Sequence, residues 1–155
     1  MTGKYKSPLG MIYFNVEQEK IVNMMIDDLN VPTDDHPLIH LVERQLELYF
    51  NHELKDFQLP IAFKSGTTFQ HEVWNAMLEI PYGETRSYQE IAIKIHRPNA
   101  LRAVGQACKR NPIGIVVPCH RVIGKDGSMT GYSGKDYIEI KRMLLKHEKE
   151  GVSHD

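Results

Sequence analysis

Apolar residues along this chain follow two kinds of pattern, and the change between them divides it. Met11–Val16 (MIYFNV) and Ile21–Ile26 (IVNMMI) are β-prone runs separated by the polar residues Glu17 to Lys20, which predicts a hairpin. In DHPLIHLVERQLELYF, Leu38, Leu41, Val42, Leu46, Tyr49 and Phe50 recur at helical spacing, with Asp35 as expected N-cap and Pro37 in the first turn. A third short strand is expected near Leu59–Phe63. Lys64-Ser65-Gly66 then marks a boundary, so residues 1–63 are read as a small α+β lobe with a supporting role.

Beyond Gly66 the pattern becomes helical. Thr67-x-x-Gln70 is a capping box opening FQHEVWNAMLEI, in which Phe69, Val73, Trp74, Met77 and Leu78 form an apolar stripe. Pro81-Tyr82-Gly83 ends that helix, and Ser87-x-x-Glu90 is a second capping box starting SYQEIAIKI. After the turn HRPN, a further helix ALRAVGQACKRN is expected with Asn99 as its cap. Two short helices joined by a tight turn make a helix-turn-helix candidate. Asp126-Gly127 signals a turn, and the terminal KDYIEIKRMLLKHEKE is helical, with Ile140, Leu144 and Glu148 on one line, which directs Glu148 inward.

Charge adds a feature that the periodicity does not show. The chain's net charge is −1, but residues 86–125 carry eight Lys and Arg against Glu90 alone, a local +7. A concentration of this kind around a helix pair is either a solvated face or the electrostatic footprint of nucleic-acid binding. The second helix of the pair holds Ala100, Ala103, Gly105 and Ala107. A glycine inside a helix costs ~1 kcal/mol relative to alanine, so close approach, to another helix or to a ligand, is expected there. With 155 residues and 41% hydrophobic content, one domain or two small lobes are affordable. No run approaches the roughly 18 apolar residues of a membrane span and no signal-peptide pattern opens the chain, so a cytoplasmic protein without membrane association is expected.

The chemistry centres on NPIGIVVPCHRVIGKDG, Asn111 to Gly127. Cys108 and Cys119 are the two cysteines; no Cys-x-x-Cys and no paired histidine spacing accompany them, which argues against a disulfide framework, a zinc site or any metal cofactor. Cys108 lies within a helix and reads as an inert core thiol. Cys119 has His120 and Arg121 beside it, and cationic or hydrogen-bonding neighbours favour the reactive thiolate. A hydrolase dyad fits poorly, because adjacent residues of an extended strand point to opposite faces, so that His120 reaches Cys119 only across a turn or through a water.

Pro118-Cys119-His120-Arg121-Val122 within NPIGIVVPCHRVIG resembles the active-site signature of the O(6)-alkylguanine-DNA alkyltransferases, also called methylated-DNA-protein-cysteine methyltransferases. The likeness extends through TTFQHEVWNAMLEIPYGETRSYQEIA, LRAVGQACKRNP, GYSG and LLKHE, about residues 67 to 148. It implies an α+β protein: a ribonuclease-H-like N-terminal lobe (1–63), then a mostly helical DNA-binding and alkyl-acceptor domain (67–150) with a winged helix-turn-helix-like motif. The implied activity is direct-reversal repair without a cofactor, moving a methyl or other alkyl group irreversibly from O6 of guanine to Cys119, once per chain. O4 of thymine is a candidate second position.

The same resemblance assigns roles. Cys119 is the acceptor, His120 deprotonates it through a bridging water, Glu148 orients the imidazole, Asn111 braces the loop, and Tyr88 protonates the departing base. Arg102 fills the gap left by an extruded base, with Tyr88, Ala103 and Arg121 also along the DNA, and Val122, Tyr132 and Ser133 line the base pocket. The implied partner is double-stranded DNA carrying O6-alkylguanine, bound through its minor groove by a monomer. Two rival readings are weighed against it. Alkyltransferase-like proteins that only flag damage replace the acceptor cysteine, which is present here. A regulator reading the major groove would need long polar side chains where this helix offers alanine and glycine.

Overall fold

A computed structural model describes residues 1–27, 30–127 and 135–153. The chain divides into two compact units, Met1–Lys64 with Pro112–Gly114, and Ser65–Asn111 with Ile115–Asp155. Sequence periodicity gave no sign that three residues from the middle of the second stretch, 112–114, belong to the first unit. The class is α+β, as the sequence implies.

In the first unit, β1 (Thr2–Ser7), β2 (Gly10–Glu17) and β3 (Lys20–Ile26) form an antiparallel sheet in that order. The expected hairpin is β2–β3, turning through Gln18 and Glu19, which both sit at positive φ, 51° and 63°, the backbone a two-residue hairpin turn requires. Strand β1 was not anticipated, because TGKYKS lacks apolar alternation; its inner face is built from Gly3, Tyr5 and Ser7. A side chain at Gly3 would run into the Phe14 ring, so glycine there lets strand and core meet. Helix α1 (Pro37–Phe50) packs on this sheet, burying Leu38, Ile39, Val42, Leu46 and Tyr49 in a core with Ile12, Phe14, Val16 and Ile21.

Two local expectations are corrected here. The N-cap of α1 is His36, not Asp35: His36 Nδ1 accepts the Leu38 N–H at 3.1 Å. Pro37 takes the first helical position, which moves the cap to the residue just before it, and Asp35 pairs with His40 instead. The third strand near 59–63 shrinks to one parallel bridge, Ile21 to Ile61, and Met24 bridges Ile113 in the same way. These two segments cover the outer edge of β3, which would otherwise present unpaired backbone groups.

The second unit contains α2 (Thr68–Leu78), β4 (Arg86–Ser87), α3 (Tyr88–Lys94), α4 (Leu101–Lys109), a 3-10 turn (Cys119–Arg121), β5 (Val122–Ile123) and α5 (Lys135–Ser153). Both predicted capping boxes form, Thr67 with Gln70 and Ser87 with Glu90, each side chain bonding the other's backbone N–H. Helix α4 is capped differently from expectation: Ala100 is its N-cap, with no side-chain hydrogen bond, and Asn99 lies one residue outside. Trp74 is core, 2% exposed, and its indole donates to the Ala107 carbonyl at 2.9 Å, tying α2 to α4. Strands β4 and β5 pair in parallel, Arg86 opposite Val122 and Ser87 opposite Ile123. That pairing sets the start of α3, with Tyr88, beside the turn carrying Cys119. Among the described residues, no helix is long and apolar enough to cross a membrane.

Candidate active site and DNA-facing helix

Cys119, His120 and Arg121 do not lie in a strand. They form the single turn of 3-10 helix, closed by the Arg121 N–H donating to the Pro118 carbonyl at 2.9 Å. The turn removes the geometric objection to two adjacent catalytic residues, since side chains no longer alternate across a pleat. Its approach is braced on the N-terminal side, where the Asn111 amide donates to the Val117 carbonyl at 2.8 Å. Ile115, in the same loop, takes φ 71°, a conformation that a β-branched residue adopts only when its surroundings dictate it. Cys119 is 2% exposed, and neither cysteine is in a disulfide.

Helix α5 brings Glu148 to this turn. His120 Nε2 donates to Glu148 Oε2 at 2.7 Å, both side chains being fully buried. His120 Nδ1 is also buried, with no hydrogen-bond partner among the described residues. The bond to Glu148 places the proton of the neutral imidazole on Nε2 and leaves Nδ1 as the basic atom. Burial pushes the imidazole below the ordinary histidine range; Glu148 pulls the other way, while Arg121 and Lys141 add to the lowering. For Glu148 burial acts upward, but the charge and hydrogen bonds of His120 and Arg121 outweigh it and hold the carboxyl well below the usual carboxylate range.

Arg121 belongs to this buried cluster, which corrects its assignment as a DNA contact. It is 7% exposed; Nε and Nη2 donate to the two Glu148 oxygens at 2.8 and 3.0 Å, and Nη1 donates to the Ile80 carbonyl at 2.7 Å. Three of its five N–H donors are committed inside the protein, and burial keeps the group away from a phosphate. Val122 follows directly and is fully buried. Tyr132 and Ser133, the other expected pocket residues, lie outside the described residues.

One site residue escaped the sequence reading. Lys141 on α5 is fully buried, and its Nζ donates to the Tyr88 hydroxyl at 3.3 Å while lying 5.6 Å from that ring's centroid. Burial pushes its ammonium below the lysine range, opposed by the nearby Cys119 and Cys108 sulfurs. The inward line of α5 is Lys141, Leu144 and Glu148, and Ile140, expected on it, is only half-buried. The spacing of three and four was visible in the sequence, but a lysine is ordinarily placed on the solvent side of such a stripe. Cys108 packs against the Met77 sulfur at 3.7 Å, and burial, with Cys119 nearby, pushes its thiol up to about 12. It is therefore unreactive at neutral pH.

Of the eight cations in residues 86–125, Arg121 is buried, Lys125 is exposed, and the other six divide into two groups. Arg86, Lys94 and Arg97 are paired with Glu84, Glu79 and Glu72, whereas Arg102, Lys109 and Arg110 are exposed along or just after α4. The face bearing Arg102 and Ala103 opens onto a shallow groove that Phe69, Gln70, Asn99 and Gln106 also line. A Cβ added at Gly105 would meet nothing within 4 Å, so packing inside the protein does not explain the glycine. No cluster of histidine, cysteine or carboxylate side chains able to hold a metal occurs among the described residues.

Comparison with known proteins bears on both parts of this unit. The pattern described as "6-O-methylguanine DNA methyltransferase, DNA binding domain" matches residues 68–150. The chain is 48% identical over 151 residues to the methylated-DNA–protein-cysteine methyltransferase of Methanosarcina acetivorans, covering 93% of this chain and 95% of the relative. It is 42% identical over 154 residues to the constitutive enzyme of that name from Bacillus subtilis, covering 93% and 92%. Its fold matches the crystal structure of the Mycobacterium tuberculosis O6-methylguanine methyltransferase with a TM-score of 0.84 and 42% identity over 97% of this chain and 94% of the other. With near-complete coverage in both directions and the Cys119–His120–Glu148 cluster in the matched segment, the chain belongs to the methylated-DNA–protein-cysteine methyltransferase family.

Proposed function

We propose that this protein repairs DNA by moving an alkyl group from O6 of guanine to Cys119. The observation that carries the reading is the buried bond of 2.7 Å from His120 to Glu148, one residue from Cys119 on the same turn, in a chain of this family. The cluster offers a base and its orienter next to a soft nucleophile, without a second nucleophile for hydrolysis. In the proposed step His120 Nδ1 takes the thiol proton through a water, the sulfur attacks the alkyl carbon, and the carbon–oxygen bond breaks toward guanine. Tyr88 then protonates the leaving base, and the Lys141 ammonium beside its hydroxyl favours release of that proton. The carbon–sulfur product is a thioether. Mass spectrometry after incubation with methylated DNA tests this, with one methyl expected on the peptide containing Cys119 and none on that containing Cys108.

The target carbon is inaccessible inside a duplex, so the nucleotide must be turned out of the stack. We read α3 and α4 as the helix-turn-helix, with α4 entering the minor groove of double-stranded DNA as a monomer. Support comes from the exposed Arg102, Lys109 and Arg110, the small face around Ala103, and Gly105 with open space before it. A related Mycobacterium tuberculosis protein, 40% identical with a TM-score of 0.84, has been crystallised in complex with DNA. Arg102→Ala is expected to slow duplex repair by roughly tenfold or more, because extrusion demands a few kcal/mol, yet to spare reaction with the free alkylated base. Equal losses on both substrates would remove Arg102 from that role.

Gly105 provides a second test, in which stability and binding move in opposite directions. Gly105→Ala should stabilise the fold by ~1 kcal/mol, as expected for a helix interior with room for a methyl group. The same methyl should weaken duplex binding by holding the backbone off the groove. Thermal unfolding and DNA titration together decide it. A variant that gains stability and keeps full affinity would show that α4 does not approach DNA through this face.

A further inference from the structure

We propose that Arg121 is the positioning residue of the Cys119–His120–Glu148 relay, fixing the carboxylate and balancing its charge so that His120 rests as a neutral base. The inference rests on the alkyl-transfer reading and adds a function for a residue which that reading leaves without one. Glu148 accepts from at least four donors among the described residues. Oε1 accepts from Arg121 Nε at 2.8 Å and the Gly83 N–H at 3.3 Å; Oε2 accepts from His120 Nε2 at 2.7 Å and Arg121 Nη2 at 3.0 Å. Every lone-pair direction of the carboxylate is thereby used, so it cannot rotate without breaking a charge-assisted bond.

The frame holding Arg121 is equally definite. Nη1 is tied to the Ile80 carbonyl at 2.7 Å, and the guanidinium lies over the Tyr82 ring, 5.8 Å from its centroid. Gly83, next in the same turn, sits at φ 81°, and a side chain there would strike Val152 of α5. The Ile80–Gly83 turn therefore grips both members of the ion pair. A lysine could supply the charge but not the planar fork plus a third directed bond.

Charge balance follows from the same contacts. Among the described residues, the groups acting on His120 are Glu148 and Lys141 from α5 and Arg121 from its own turn, and Tyr82, from the turn after α2, faces Glu148 and Arg121. Cys108 of α4 faces Cys119 and Lys141. Glu148 is the sole carboxylate among them. Alone against a buried imidazole it would favour the imidazolium, whose Nδ1 carries a proton and can accept none. An arginine guanidinium is a permanent cation in proteins, so a guanidinium placed here offsets that pull, adding to the effect of burial.

The test follows the His120 imidazole of the intact protein by nitrogen-15 NMR across pH. In the natural sequence His120 should be the neutral Nε2–H form at pH 7; an imidazolium there would overturn the proposal without any variant. In Arg121→Gln the signal should titrate at least about one pH unit higher, the order expected when a cation is removed from a coupled buried pair. Arg121→Lys should fall between the two. A purely structural role predicts a lower melting temperature with unchanged titration in both variants, and that result would also overturn it. Alkyl transfer by the natural sequence is measured separately: its absence would remove the repair reading, while the titration would still decide the part played by Arg121.

Discussion

One alkyl group per chain is the expected limit of repair, however large the excess of damaged DNA. Attack by the Cys119 sulfur on an sp3 carbon yields a thioether, and water does not cleave that bond as it does a thioester. Release would need a second nucleophile or a metal aimed at the same carbon, and the described side chains beside Cys119 have other work: His120 bonds Glu148, Arg121 bonds Glu148 and Ile80, and Lys141 bonds Tyr88. Cys119→Ser should abolish transfer outright, since a hydroxyl is far less nucleophilic than a thiolate at neutral pH. DNA binding should survive, because Arg102, Lys109 and Arg110 are untouched. Counting alkylated guanine removed per mole of protein decides the matter, and removal sustained well beyond one equivalent would mean turnover and a different mechanism.

Removing the Glu148 charge is expected to damage fold and chemistry together. Glu148→Gln leaves the buried Arg121 guanidinium without its counter-charge, a kind of loss that typically destabilises by ~3–5 kcal/mol. It also leaves one neutral amide oxygen for which His120 and Arg121 compete, so the imidazole is no longer held in one tautomer, and alkyl transfer near pH 7 should slow by roughly 10²–10⁴-fold, the usual contribution of a positioned base. The pH dependence has a definite sign. The Glu148 carboxyl is held below its unfolded value, so its contribution is fully present above about pH 4.3 and is lost as pH falls through the folded value. Melting temperatures of the two proteins should thus converge in acid and separate toward neutral pH. A constant difference across that range would show that the carboxylate is not what the fold depends on.

The chain's own pattern determined those features whose causes lie within a few residues. Thr67 with Gln70 and Ser87 with Glu90 form their capping boxes because both partners sit on one helical turn and need nothing else. The β2–β3 hairpin, the apolar face of α1 apart from Leu41, which is exposed, and the inward direction of Glu148 likewise follow from spacing. The Pro118–Val122 motif was sufficient to indicate the family. Where a local rule was applied without its neighbour it failed by one residue: Pro37 moved the cap from Asp35 to His36, and Ala100, not Asn99, starts α4.

Tertiary structure alone decided what depends on partners distant in sequence. Strand β1 exists because β2 offers it a ladder, and residues 112–114 join the first unit because β3 has an edge to cover. The environments of Arg121 and Lys141 are decided in the same way. By composition both read as surface cations. One is held inside by a carboxylate 27 residues away and by the Ile80 carbonyl, the other by the hydroxyl and ring of Tyr88, 53 residues away. A charged side chain enters a core only when its compensating groups arrive there too. Those groups are brought together by the β4–β5 pairing and the packing of α5 on the cysteine turn, which no local pattern encodes.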